Sequence, residues 1–477
     1  MSTENLQSTA PKAATFNFSY YVIWGLASLG LNMINGVFTA LLPIFYQDYL
    51  GLAAKWMSLA ALIYGIWNAI NDPLFGYITD NTHSRLGRRI PYMRYTAPFL
   101  AFTFILIWFA PAEASEQTLF WWMLISMFLF DTCFTIVGLV YVALLPELSE
   151  SDSERTKLQI SYSIFSMIGM LIGLIVPELF RPKAGGATTF LPLQMSMIVL
   201  GITGALLIIA TTFKVKERLE FSLVDKPLPL GQAISLTFKS KAFLLAMGAT
   251  FMSMLVNGLV FGAIYYLADY VLQISGTIVL LYAFIPFMIG VPLTELLRRR
   301  FGVVGAMQVM QIIAGVGFCL ITVVPNSLIL PCLALGGLGT GGVLTMSYVL
   351  FAQVADEDEV KTGVRREGAF FGINALFTKP ALSLSIALIS LILEATHFVT
   401  REAHGGIFLN QPSSAILGIK VLIGLIPGIA MLLGALILKF YPLRGKYLEE
   451  IQAKVLQMHQ EKAQKLAELQ KEQIPSA

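Results

Sequence analysis

Long apolar runs alternate with short polar turns along almost the whole chain. Twelve runs are long enough to cross a bilayer, which takes about 20 residues each. They cover residues 19–46, 54–80, 93–112, 117–145, 158–181, 190–213, 240–271, 275–297, 303–325, 328–355, 367–397 and 413–441. Several exceed the minimum, so tilt or extension beyond the lipid is expected. The pattern predicts an all-α, multi-pass membrane protein. Residues 1–17 are polar, with Lys12 their one cationic side chain. They read as a cytoplasmic tail and not a signal peptide, since no short apolar region there ends in a small-residue cleavage site.

Charge orients these runs. Most loop cations fall in the turns at 81–94, 146–157, 214–241, 298–300 and 356–366, whereas the opposite turns offer Lys55, Arg181, Lys183 and Arg401. By the positive-inside rule both termini are expected in the cytoplasm, and an even number of crossings agrees. The membrane expected is the plasma (inner) membrane.

The longest interior connection, Lys214 to Lys239, contains Pro227-Leu228-Pro229 and separates six runs from six. It predicts a first bundle over 18–214, a central loop over 215–239 and a second bundle over 240–442. The halves echo each other. Asp72-Pro73-Leu74 and the basic turn from Arg85 have a counterpart in Pro292-Leu293-Thr294-Glu295 and Arg298-Arg299-Arg300-Phe301-Gly302. Pro146-Glu147 through Arg155 matches the charged run from Asp356 to Glu367. Two pseudo-symmetric six-helix bundles are the architecture of a secondary transporter, with its site near the midplane. Beyond them, residues 443–477 place Leu448, Ile451, Val455, Met458, Leu466 and Leu469 at three- and four-residue steps. That spacing predicts an amphipathic helix on the membrane surface or packed under the bundle, with an isolated solvated helix as the alternative.

Composition sharpens the class. Hydrophobic residues make up 56% of the chain and charged residues 13%, against about 25% charged in ordinary soluble domains. Cys133, Cys319 and Cys332 all lie in apolar runs, as small buried hydrophobes do. His83, His397, His404 and His459 show no ligand spacing, and no phosphate-cradling glycine loop is present. An enzyme, a bound cofactor and a nucleic-acid partner are therefore not expected, and the chain is expected to act as a monomer.

The chemistry concentrates in the second run, which carries Asp72 about two turns before its basic end. A carboxylate is costly inside a bilayer and needs a reason to be there. Either it couples transport to an ion, or it is a helix-end acid capped locally.

The stretch Asn68-Ala69-Ile70-Asn71-Asp72-Pro73-Leu74-Phe75-Gly76, followed by Arg85-Leu86-Gly87-Arg88-Arg89-Ile90-Pro91, resembles the glycoside-pentoside-hexuronide:cation symporters of the major facilitator superfamily. The later run Ala355-Asp356, Lys361 through Gly372 and Lys379 resembles the same family. The resemblance implies the twelve-helix major facilitator fold and cation-driven symport by alternating access. In that family the cation site gathers carboxylates from the second and fourth helices near a lysine of the eleventh. Carried over by position, the resemblance implies a cation-coupling set of Asp72, Asn68, Asn71, Thr135 and Lys379. Asn68 and Gly138 stand where the family has two further acids.

Asn68 and Asp72, four residues apart, share one helix face. One charge plus amide and hydroxyl oxygens suits a hard cation in kind. Lys379 sits near the middle of its run, where an ammonium needs an anion. Asp72 is then expected to exchange between Lys379 and a transported Na⁺ or H⁺; a static bridge that locks helices is the alternative. Asp131, near the centre of the fourth run, either replaces a lost acid, binds solute, or stays protonated and hydrogen-bonded to a neighbouring helix.

Arg85, Arg88 and Arg89 read as a cytoplasmic gate, able to pair with Glu147, Glu150 and Glu154. Asp356 with Arg365, Arg366 and Glu367 would serve the second half in the same way. The alternative is that these charges only set topology. The cargo is expected to be a sugar or glycoside. The substrate-binding candidates are Asn32, Asp131, Tyr141, Asn257, Tyr265, Tyr348 and Asn374, with Asn35, Asn68 and Gln353 behind them. The family's acidic, aromatic and arginine sugar contacts are absent at Asn32, Gly138 and Val142. A facilitator, or a carrier of lysolipids or similar amphipathic solutes with a reduced cation site, is the alternative.

Overall fold

A computed structural model describes residues 16–80, 82, 87, 89–148, 152–182, 189–215, 240–362, 367–401, 408–455 and 457–458. Among these residues the regular structure is helical throughout, with no strand. Lipid explains this: each backbone N–H and C=O inside a bilayer must be satisfied within its own segment.

The first six helices are α1 (Phe18–Pro43), α2 (Ala54–Asp80), α3 (Ile90–Trp108), α4 (Glu116–Leu148), α5 (Asp152–Phe180) and α6 (Leu191–Lys214). The next are α7 (Lys241–Tyr266), α8 (Gly276–Val323), α9 (Ile329–Thr362) and α10 (Glu367–Ala395). The last crossing is made of α11 (Ser413–Lys420), a π turn and α12 (Ile426–Lys439). Asn17 starts α1 by accepting the Tyr20 backbone N–H, and Ser240 starts α7 by accepting that of Phe243, the ordinary N-cap exchange. Both α1 and α7 run on into a π turn, Ile44–Tyr49 and Leu267–Leu272.

Among the described residues, ten stretches are long and apolar enough to cross a membrane. One of them, α8, holds two of the predicted runs: its 48 residues break at Gly302, whose φ of 71° suits a residue without a Cβ. The 27-residue α2 is long enough but more polar, with Asn68, Asn71 and Asp72 in its second half. Each predicted run thus finds a helix, and the chain is an integral membrane protein.

Two compact units divide the chain. The first comprises Met1–Lys226 together with Val399–Phe408, and the second comprises Pro227–Phe398 with Leu409–Ala477. Within the first unit, α1 packs on α5 and α6, α3 on α4 and α6, and α2 on α4. A Cβ at Gly173 would overlap the Met33 carbonyl, so glycine there lets α5 approach the α1 backbone.

Within the second unit, α8 packs on α9, and α7 on α10 and α12. A tail helix over 445–455 follows. Leu443, Ile451 and Val455 join a buried cluster with Ala242, Phe243, Leu350, Phe351 and Val354. Of the alternatives for this segment, its described part is the packed one.

Candidate functional site

Tyr64, Asn68 and Asn71 lie four and three residues apart on α2, so they form one stripe of that helix. The stripe meets α4 at Asp131. Tyr64 donates its hydroxyl to Asp131 Oδ1 at 3.1 Å, and Asn71 Nδ2 donates to Asp131 Oδ2 at 2.8 Å. Asn68 lies between these two donors on the same stripe of α2. Thr135 follows Asp131 by one turn on α4. Asn68, Asn71, Asp131 and Thr135 are 3%, 0%, 4% and 4% exposed. The Oδ1 atoms of Asn68 and Asn71 are buried with no hydrogen-bond partner among the described residues.

Aromatic rings pack beside the cluster. Phe38 lies with its ring centre 4.8 Å from Phe130 and 6.2 Å from Tyr64, and Phe130 is 5.6 Å from Phe134. Beside the stripe, Trp67 stacks on Phe128 and donates its Nε1 to Thr132 Oγ1 at 3.2 Å. In such surroundings a charge is weakly screened and its partners matter more than they do in water.

The expected cation-coupling residues distribute as follows. Asp72 is half-buried on α2, within electrostatic reach of Tyr64. Lys379 is half-buried on α10, in the second unit. Of the expected coupling set, the structure brings Asn71 onto Asp131, with Asn68 on the same α2 stripe and Thr135 one turn along α4; Asp131 is the acid for which the sequence left open a lost-acid replacement, a solute contact or a protonated helix contact. Tyr64 was missed altogether. The signal was available, since it lies four residues before Asn68 and seven before Asn71.

The solute candidates divide. Asn32 on α1 and Asn257 on α7 are half-buried, and each donates its Nδ2 to the carbonyl four residues back, to Ser28 at 2.9 Å and Ser253 at 3.0 Å. That bond fixes the rotamer and leaves the amide oxygen as the group each can offer a ligand. Asn257 also lines a small, mostly apolar cavity with Val260, Phe287 and Thr340. Tyr141 is fully buried and donates its hydroxyl to Trp24 O at 2.6 Å, so it ties α4 to α1. Tyr265 is equally buried. The side chains of Tyr348 and Asn374 lie outside the described residues.

Of the expected gate, Arg85, Arg88, Arg365 and Arg366 lie outside the described residues, as do the side chains of Glu147 and Glu367. Arg89 is buried at the start of α3, and Asp356 is half-buried on α9. Glu154, one of the acids expected beside the basic turn, takes the Tyr21 hydroxyl, the Phe16 N–H at 3.2 Å and Lys157 Nζ at 2.8 Å. These three donors, Lys157 first, pull its carboxyl down to about 2. Glu357 likewise takes Lys361 Nζ at 2.7 Å and the Tyr447 hydroxyl at 2.9 Å.

Membrane-spanning helical units with an acid buried inside one of them define a secondary transporter, whose work is to bind and release rather than to break bonds. The chain belongs to the MFS/sugar transport protein family, whose model matches residues 23–445. It is a transport protein and not an enzyme.

Known proteins agree in fold and scale. The sodium-dependent lysophosphatidylcholine symporter 1 of Gallus gallus is 24% identical, over 84% of this chain and 82% of its own. The isoprimeverose transporter of Lactiplantibacillus pentosus is also 24% identical, over 82% of each. Among solved structures, a D-xylose-proton symporter superposes with a TM-score of 0.64 at 15% identity, covering 88% of this chain and 98% of its own.

Proposed function

We propose that this chain is a secondary active transporter that couples the movement of a cation, Na⁺ or H⁺, to symport of a sugar or glycoside by alternating access. In this reading it works as a monomer in the plasma (inner) membrane, with both termini in the cytoplasm. The observation that carries it is Asp131, buried between two membrane helices and hydrogen-bonded by Tyr64 and Asn71. An acid at the centre of a span costs roughly 2.5–3.5 kcal/mol on insertion scales. A merely structural helix contact needs no such charge, because neutral polar residues can join helices in lipid.

The ion does its work through linkage. If the cation raises affinity for the solute, the solute raises affinity for the cation by the same factor, and the loaded pair crosses together. The half-buried Asn32 and Asn257, one on the first helix of each unit, supply amide oxygens of the kind sugar hydroxyls donate to. The isoprimeverose transporter among the relatives supports a glycoside. The lysophosphatidylcholine symporter favours the second reading, an amphipathic solute on the same frame.

The test is uptake into proteoliposomes holding the purified chain. Labelled isoprimeverose, other glycosides and lysophosphatidylcholine are offered with an inward Na⁺ gradient, an inward proton gradient, or neither. Concentrative uptake of a glycoside under one gradient alone is expected. Uptake that ignores both gradients overturns the coupling, and concentrative uptake of the lysolipid alone selects the second reading.

A further inference from the structure

We propose that the cation site of this chain is centred on Asp131, not on Asp72, and takes a monovalent metal ion of the Na⁺ class held by Asp131, Asn68, Asn71 and Thr135. The proposal rests on the symport reading in taking the ion to be the one that travels with the solute.

The positions that the family resemblance marks for acids hold Asn68, Asp72 and Gly138. Of these only Asp72 is an acid, and it is half-buried. Asp131 lies two turns before Gly138 on α4 and is the acid that the α2 stripe encloses. The loss of two acids on one level is thus answered by one acid on another.

Two buried amide oxygens identify the ligand. An ionised Asp131 only accepts, so Asn71 must turn its Nδ2 toward it, as observed at 2.8 Å. Asn71 Oδ1 and, on the same stripe, Asn68 Oδ1 are then buried acceptors with no hydrogen-bond partner among the described residues. Each unsatisfied buried acceptor costs about 1–3 kcal/mol. A proton on Asp131 could reach one of these oxygens and would leave the other orphaned. A metal ion takes both, together with a carboxylate oxygen and the Thr135 hydroxyl.

Charge sets the valence. One carboxylate among neutral oxygens balances one positive charge, whereas sites for Ca²⁺ and Mg²⁺ draw on more carboxylates and water. The oxygen set is hard, which suits an alkali cation over a soft metal.

Trp67 supplies the readout, since it precedes Asn68 and bonds Thr132 on the helix that carries Asp131. The full-length protein in detergent is titrated with NaCl against choline chloride at constant ionic strength, following tryptophan fluorescence and the thermal unfolding midpoint. The wild type is expected to respond saturably to Na⁺, and Asp131→Asn to bind it at least tenfold more weakly. Asn68→Leu is expected to weaken it severalfold, while Ser126→Ala, elsewhere on α4, keeps the wild-type response. The loss in Asp131→Asn should exceed that in Asp72→Asn by tenfold or more.

A Na⁺ response that survives Asp131→Asn, or an equal or larger loss in Asp72→Asn, overturns the site. So does a wild type that answers to acidification and not to Na⁺. If Asp131→Asn does not fold, Asn68→Leu decides, and an unchanged response there overturns the site. Uptake separates this from the symport reading: Na⁺-driven uptake intact in Asp131→Asn removes the site and leaves symport. Na⁺ binding that needs Asp131, with uptake indifferent to every gradient, removes symport and leaves the site.

Discussion

Asp48 and Arg401 stand 353 positions apart in sequence and form a two-pronged ion pair inside the first unit. The Arg401 N–H and Nε each donate to a different Asp48 oxygen at 2.8 Å, and Nη1 donates to Pro182 O at 2.8 Å. The guanidinium also lies 4.5 Å over the ring of Tyr49, whose hydroxyl takes a bond from Arg181 at 3.2 Å. Arg181 is itself paired with Glu178. Two acids and two arginines are thus buried together, with each charge answered.

Breaking this pair on one side strands a buried charge. Arg401→Ala leaves the Asp48 carboxylate without its guanidinium, a loss of about 3–5 kcal/mol for a buried pair. The double variant Asp48→Asn with Arg401→Gln should be less destabilised than the sum of its singles. Thermal unfolding of the four proteins closes the cycle, and strict additivity would mean that the two side chains do not interact.

Removing the Tyr64 hydroxyl tests the α2–α4 cluster from the donor side. Tyr64→Phe takes one hydrogen bond from an ionised acid, worth about 1.5–3 kcal/mol. If Asp131 holds the ion as a carboxylate, the variant should leave a less well supported anion and weaken the cation dependence of uptake, about tenfold or more in the cation concentration required. The measurement is initial uptake against Na⁺ concentration at fixed solute. An unchanged half-saturation would show that the hydroxyl does not hold the carboxylate in place.

Periodicity within a helix is legible in sequence; pairing between helices is much less so. The twelve runs could be counted because lipid demands long apolar segments, and the Asn68–Asn71–Asp72 group stood out by its polarity. The break at Gly302 was visible as a basic turn between two runs. Which α4 residue faces that group was not legible, because the separation of 60 residues between Asn71 and Asp131 carries no register. Asp131 therefore entered with its role open between a replaced acid and a solute contact, and Tyr141 entered as a solute candidate although its hydroxyl is committed to Trp24. Arg401, counted in the sequence as a loop cation, gave no sign of a buried partner.

Glu154 predicts where pH does not act. Bonds from Lys157, Tyr21 and the Phe16 N–H lower its carboxyl from an ordinary 4.5 to about 2. A depressed carboxyl stabilises the fold at pH above its unfolded value and loses that contribution as pH falls through its folded one. The attachment of the start of α1 to α5 is therefore fully formed from pH 5 to 8 and fails between about 4.5 and 2. Glu154→Gln should lower the unfolding midpoint by a constant amount above pH 5, with the gap to wild type closing in acid. A gap that changes between pH 6 and 8 would contradict this assignment.

The tail helix tests whether the second unit ends at its last membrane crossing. Ile451 is 4% exposed and packs in the cluster that holds Phe243, Leu350 and Phe351. Truncating a buried isoleucine to alanine costs about 2–5 kcal/mol where the surroundings cannot collapse. Tyr447 adds a polar tie: its hydrogen bond to Glu357, with burial second, holds the phenol above its ordinary value. Tyr447→Phe removes only that bond and should cost about 0.5–1.5 kcal/mol. The order Ile451→Ala below Tyr447→Phe below wild type in unfolding midpoint is therefore expected. Ile451→Asp should fall lowest, because it brings a charge into an apolar cluster with no described basic partner among its members. If all three variants melt with the wild type, the tail is not part of the folded unit.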